Sequence, residues 1–258
     1  MKKLLVLVFA AFALAAPRAL AQDSQMFNHM ALGATLGVDG VGLDAVFPMG
    51  ANFQLRAGYA IDPLSLNLNL NLGQQTVGGK TVNLNGIPFS ARSFNSGTGH
   101  LMADFYPSKK GGFHISAGLF VNNGKLLSAT ADLSNVLDRD TWGTASFSGI
   151  STDSKGTAYV DVKTWAAMPY VGIGFGRALT PDRLFGFVFD MGVLVWGSPQ
   201  LQSRNYVRST SDDVYDTTVI TSESLGLNKD DANAKLLDAI SSIPVCPYIR
   251  FGFYFRLF

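Results

Sequence analysis

Phenylalanine and glycine alternate along this chain with the period of a β-strand. Phe185, Phe187, Phe189, Met191, Val193 and Val195 fall on one side of a strand, and Gly186, Val188, Asp190, Gly192, Leu194 and Trp196 fall on the other. The same split recurs at Pro169, Val171, Ile173 and Phe175 against Tyr170, Gly172, Gly174 and Gly176. It recurs again at Ile249, Phe251, Phe253, Phe255 and Leu257 against Tyr248, Arg250, Gly252, Tyr254 and Arg256. Shorter versions run through 53–62, 100–106 and 113–121. One face of every stretch is large and apolar; the other carries glycine, hydroxyls, aromatics and single charges.

A water-facing strand would fill its second face with Lys, Glu and Thr. Glycine weakens a strand unless space is scarce, and space is scarce inside a narrow closed barrel. The phenylalanines therefore belong outside, against lipid, and the glycines with isolated charges inside. The 27 glycines and 19 phenylalanines of the 258 residues then have one cause. The fold class expected is all-β: a transmembrane antiparallel up-and-down barrel of about eight strands with long extracellular loops.

The N-terminus supports export. MKKLLVLVFAAFALAAPRALAQ has two lysines, an apolar run and small residues at Ala19 and Ala21, the layout of a signal peptide cleaved after Ala21. Residues 1–21 are read as that signal and 22–258 as a single barrel domain of the bacterial outer membrane. The apolar run is shorter than the roughly 20 residues of a spanning helix. A formal net charge of +1 offers no footprint for nucleic acid, and the lone Cys246 excludes an internal disulfide framework. No cofactor or metal-ligand spacing stands out.

Six strands follow directly, at about 52–62, 98–107, 111–122, 165–177, 183–197 and 246–258. A single strand over 30–47 would make seven, an odd number. Within Thr35-Leu-Gly-Val-Asp-Gly-Val-Gly-Leu-Asp-Ala45 the apolar phase changes from even (Leu32, Leu36, Val38) to odd (Val41, Leu43, Phe47). A hairpin at Asp39-Gly40, with Val38 opposite Val41, gives that change and an eighth strand. A glycine bulge in one long strand inverts the phase as well.

Short turns at 48–51, 107–111 and 178–183 alternate with long polar segments at 63–96, 124–161 and 198–245. Short turns at one end and long loops at the other are the asymmetry of an outer-membrane barrel. Leu64, Leu66, Leu68, Leu70 and Leu72 alternate with Ser and Asn, which predicts a hairpin prolonging the wall beyond a kink at Pro63. Its leucine face is an apolar face near the headgroups or a vestibule over the barrel. Cap residues, apolar spacing and a proline stop over 230–244 predict one short loop helix, covering or plugging the mouth.

With these residues in place, the chain resembles the small eight-stranded outer-membrane β-barrels of the OmpA/OmpW-like porin class. The resemblance is carried by the signal peptide, by VGLDAVFPMGANFQLRAGYA around the turn at Pro48, and by the terminal PYIRFGFYFRLF. It covers the strands and not the loops. It implies outer-membrane lipid as the surroundings and the barrel-insertion machinery as a partner in biogenesis, since that machinery reads a terminal aromatic such as Phe258. Phe258 is one residue out of phase with Leu257, Phe255 and Phe253, a departure from the class pattern.

Asp44, Arg56, Asp62, Asp104, Asp190, Arg250 and Arg256 all fall on lumen faces. Unpaired charges in so confined a space are costly, so the expectation is ion pairs that plug the barrel, with a gate or narrow ion pathway as the alternative. A closed barrel sets Arg250 beside both Asp190 and Asp44. The core of the expected cluster is Asp44, Arg56, Asp104, Asp190 and Arg250. His114 and Ser116, two apart on one strand face, match the pair that barrel lipid hydrolases use, since an imidazole can activate a hydroxyl; their phase points both inward. Two functional readings precede hydrolysis: a structural or porin-like barrel, and a surface barrel that binds a ligand or partner through 124–161 and 198–245.

Overall fold

The computed structural model describes residues 29–77, 80–93, 97–136, 146–147, 150–180, 182–207, 214–221, 235 and 241–257. The signal peptide and Phe258 lie outside these residues, as do 230–234 and 236–240 of the expected 230–244 loop helix.

Among the described residues, sixteen strands follow in chain order. They are β1 (Ala31–Gly37), β2 (Gly40–Pro48), β3 (Phe53–Ile61), β4 (Ser65–Val77), β5 (Lys80–Ser93), β6 (Thr98–Phe105), β7 (His114–Val121) and β8 (Lys125–Asp132). They continue with β9 (Ser146–Phe147), β10 (Ile150–Ser151), β11 (Thr157–Lys163), β12 (Ala167–Arg177), β13 (Phe185–Val195), β14 (Gln200–Val207), β15 (Val214–Val219) and β16 (Val245–Arg256). Eight of them close a barrel in the order β1-β16-β13-β12-β7-β6-β3-β2. Every pair is antiparallel. The eight are those the alternation marks out.

Leu43, Phe185, Phe187, Phe251, Phe253 and Phe255 stand exposed on the outer wall, with Phe185 and Leu43 each 73% exposed. Paired rings such as Phe185–Phe255 and Phe187–Phe253 tile the β13–β16 side. An apolar belt of this extent is a liability in water and is solvated by a bilayer.

The first hairpin is real, and its turn lies one residue earlier than the Asp-Gly pattern suggests. Gly37 pairs with Gly40 and Leu36 with Val41, so Val38 and Asp39 are the turn residues and Val38 does not oppose Val41. The phase still changes, because a two-residue loop sets even residues of β1 opposite odd residues of β2. Gly40 follows the turn at φ 100°, where an L side chain is strained. A Cβ there would also run into the Ile61–Asp62 backbone.

The three long segments are not irregular loops. They build a second sheet of six strands in the order β15-β14-β11-β8-β5-β4. This order repeats that of the barrel strands beneath, and backbone bonds from Asn122 to Ala166, Thr164 to Gly124 and Trp165 to Trp196 carry the ladder across the join. The sheet thus prolongs six of the eight walls, and the wall is low only above the tight β1–β2 turn. The Leu64–Leu72 hairpin appears as β4 and β5, with Val77 opposite Lys80 and Leu64, Leu66 and Leu68 exposed.

Candidate functional site

Inside the barrel the side chains stack in layers. Near the turn end, Leu179, Val188, Val46, Ala31, Ala178 and Tyr254 form an apolar floor. Gln54 beside it donates to the Leu179 carbonyl at 2.5 Å, and Ala178 and Leu179 after β12 are buried in this floor as a stopper. Toward the loop end, Met102, Phe120, Met168, Tyr170, Leu194, Cys246 and Tyr248 form an aromatic ceiling. The charges lie between floor and ceiling.

Arg56 on β3 reaches across the lumen. Its Nη1 donates to Asp190 Oδ2 at 2.7 Å and its Nη2 to Asp190 Oδ1 at 3.0 Å. The same guanidinium lies 2.8 Å (Nη2) and 2.7 Å (Nε) from the two oxygens of Asp104. His114 Nε2 sits 2.9 Å from Asp190 Oδ1, and Ser116 Oγ donates to Asp104 Oδ1 at 2.7 Å. Arg56, Asp104, His114 and Ser116 are fully buried. Two-toothed guanidinium–carboxylate contacts are the strong form of the ion pair, and here one cation serves two carboxylates.

A second group centres on Asp44. Arg250 Nη2 donates to Asp44 Oδ1 at 2.7 Å and to Thr35 Oγ1 at 2.9 Å, and Tyr254 donates to Asp44 Oδ2 at 3.0 Å. His100 Nε2 lies 3.0 Å from Asp44 Oδ1 and 2.8 Å from Arg250 Nη1. Above it, the turn residue Asp39 points back into the barrel and accepts from Tyr248 at 2.8 Å.

The five charges expected in one cluster are all in the lumen, divided in two. Arg250 bonds Asp44 and not Asp190, although Asp190 and Arg250 are direct partners in the β13–β16 ladder. In a barrel this narrow a long side chain reaches the far wall, and Arg56 takes both carboxyl oxygens of Asp190. Asp62 and Arg256 sit at the mouths instead: Asp62 accepts from the Leu64 amide and the Ser93 hydroxyl, and Arg256 leans toward the Thr180 carbonyl. His100, Thr35 and Tyr254 were missing from the expected cluster, although all three have lumen phase.

The lumen glycines make room for these groups. A Cβ on Gly174 would meet the His114 ring and Asp190, and one on Gly58 would meet Asp44 and His100. His114 and Ser116 share a face but not a bond, since each engages a different carboxylate. Asp104, His114 and Asp190 offer three donor atoms within 4.8 Å, a grouping with metal-ligand chemistry. Arg56 already holds both carboxylates there, so a cation would have to displace a guanidinium.

The loop-end sheet has a polar face of its own. On it Asp161 accepts from Ser128 at 2.7 Å and pairs with Lys125 at 2.8 Å and Arg204 at 3.3 Å. Burial pushes its carboxyl up, but the Lys125 and Ser128 hydrogen bonds and the Lys125 and Arg204 charges outweigh that and hold it below the usual range. Arg204 also lies over the Tyr159 ring, 4.6 Å from its centre. Burial first, and then the Asp153 carboxylate bonded to it, push the Tyr159 hydroxyl up to about 12.

No protein-family model and no curated protein sequence matches the chain. Among solved structures it is similar to CarO of Acinetobacter baumannii, at 13% identity over 87% of this chain and 96% of that one, with a TM-score of 0.43. CarO2 of the same organism gives 15% identity over 90% and 100%, with a TM-score of 0.47. A major outer membrane protein of Thermus thermophilus gives 12% over 89% and 98%, with a TM-score of 0.41. Likenesses at this level carry no argument about role.

Proposed function

We propose that the chain is an integral outer-membrane β-barrel that does not conduct through its lumen, and whose working surface is the six-stranded sheet at the loop end. The exposed apolar wall and the short-turn, long-segment asymmetry support the membrane setting, with lipid around the barrel and the insertion machinery acting in biogenesis. One observation carries the closed lumen: Arg56, fully buried, spans from β3 to carboxylates on β6 and β13. A hydrated ion passing there would have to break a network whose charges are satisfied by one another. The apolar floor and ceiling add two dry layers.

The reading assigns no chemistry to His114 and Ser116, because each is bonded to a lumen carboxylate behind those layers. Planar-bilayer recording on the purified, refolded protein tests it. No stepwise current is expected up to the voltage at which the bilayer itself fails. Regular conductance steps that persist after repurification would sink it and restore the porin-like role.

A further inference from the structure

We infer that the polar face of the loop-end sheet binds a neutral oligosaccharide, in a groove across β4, β5, β8 and β11. The inference rests on the reading above, in which this sheet and not the lumen is the working surface.

The groove has a volume of about 570 Å³, within the roughly 300–1,000 Å³ of ordinary ligand sites. The ladder brings its lining together. Asn67 lies opposite Ser90, and Asn69 opposite Pro88. Ser90 lies opposite Thr130, and Thr157 opposite Asp132. Side chains from four strands therefore share one face, in two adjoining rows.

The rows differ from their neighbour in one respect. Beside them Asp161 is saturated by Ser128, Lys125 and Arg204. Among the described residues, the side chains of Asn67, Asn69, Ser90 and Thr157 have no hydrogen-bond partner in the protein. The Thr130 hydroxyl has only a long contact, 3.5 Å, to the Ser90 carbonyl. The groove thus presents amides and hydroxyls able both to donate and to accept.

Its chemistry narrows the ligand. Among the described residues no Lys or Arg lines it, so an anion finds no counter-charge. One carboxylate, Asp132, is too few for a divalent cation, which asks for several charged oxygens. Leu68, Phe89 and Pro88 add apolar surface beside these amides and hydroxyls, the mixture that a sugar's C–H faces and hydroxyls together present. A ring bearing several hydroxyls answers all of these groups at once. Asp132, whose Oδ1 accepts the Ser134 amide at 2.9 Å, keeps Oδ2 to accept from a sugar hydroxyl; Asn67 and Asn69 pair donor with acceptor, and the Pro88 ring offers an apolar platform for a sugar's C–H face.

The test uses the full chain refolded in detergent. Neutral gluco- and galacto-oligosaccharides of two to six units are titrated by saturation-transfer NMR, beside sialylated and amino-sugar oligosaccharides. The same neutral glycans carried on lipid in vesicles distinguish a surface glycolipid from a free solute. Saturable binding of neutral saccharides is expected, weakened at least fivefold by Asn67→Ala with Asn69→Ala and by Asp132→Asn. Asp161→Asn, in the saturated row, should leave it within twofold. Heat-modifiable gel mobility checks that every variant still holds its barrel. Absence of neutral-saccharide binding, preference for the charged glycans, or affinity unchanged in the groove variants overturns the inference. The closed-barrel reading fails separately, through conductance, so the two failures are told apart.

Discussion

The lumen and the loop-end sheet solve the same problem, charged groups on a β-surface, in opposite ways. In the lumen Arg56 holds two carboxylates by four contacts of 2.7–3.0 Å, all between fully or nearly fully buried groups. On the sheet Asp161 is also paired, but its Lys125 and Arg204 partners are partly exposed, and Asn67 and Asn69 in the next rows are exposed. A buried network loses heavily when one partner is removed. A wet one can leave groups free for something else. The contrast is between a buried network that ties opposite walls together and a sheet whose polar groups largely meet solvent.

The largest break in that contrast comes from Arg56→Ala. It strands Asp104 and Asp190 as buried carboxylates without a cation, which costs about 3–5 kcal/mol, read as a lower urea midpoint for unfolding from detergent micelles. Adding Asp104→Asn and Asp190→Asn should recover most of the loss. A cost below ~1 kcal/mol for Arg56→Ala alone, far under the usual penalty for stranding a buried charge, would mean that water reaches the cluster and the lumen is not dry.

A middle effect is expected from Gly174→Val. The added carbons collide with the His114 ring and the Asp190 carboxylate, and overpacking of this kind costs about 1–3 kcal/mol. The same urea titration measures it. A neutral result would show that His114 can swing aside, and that space in the lumen is less scarce than the glycines indicate.

The smallest effect belongs to the sheet. Asp161→Asn should cost about 1 kcal/mol and weaken in part with added salt, because the Asp161 carboxylate is buried while its Lys125 and Arg204 partners are partly exposed. Because its folded carboxyl is depressed, its contribution is present above the ordinary value of about 3.9 and lost as pH falls through the folded value. Tyr159 acts at the other end: its raised hydroxyl favours the fold below the ordinary value of 10.0, and that contribution is lost as pH rises toward about 12. Amide exchange in β8 and β11, followed at both extremes, should rise there before it rises in β13 and β16. Simultaneous loosening of barrel and sheet would erase the contrast.

Much of this was legible in the residues. Lipid outside and crowding inside impose a strict alternation on every barrel strand, so the eight strands, their facing and the lumen position of Asp44, Arg56, Asp104, Asp190 and Arg250 could be read in one dimension. The phase change at Gly37-Val-Asp-Gly40 announced a hairpin, since a strand with one buried face cannot change phase without a turn or a bulge. Which two residues make the turn was not legible, because Asp-Gly suits several loop geometries and Asp39 was drawn inward by Tyr248. Strands β8, β11, β14 and β15 were read as polar loops. Segments such as Gln-Leu-Gln-Ser-Arg-Asn-Tyr-Val207 face no lipid and carry no apolar alternation to betray them.

The pairing of charges belongs to three dimensions alone. Arg56 and Asp190 are 134 residues apart and sit on strands that are not neighbours. Their contact follows from the barrel's narrow bore, where long side chains reach across the axis as readily as along the wall. Sequence alternation tells each side chain which side of the wall it occupies. Closure of the barrel selects its partner, because only then are opposite walls brought within a guanidinium's reach.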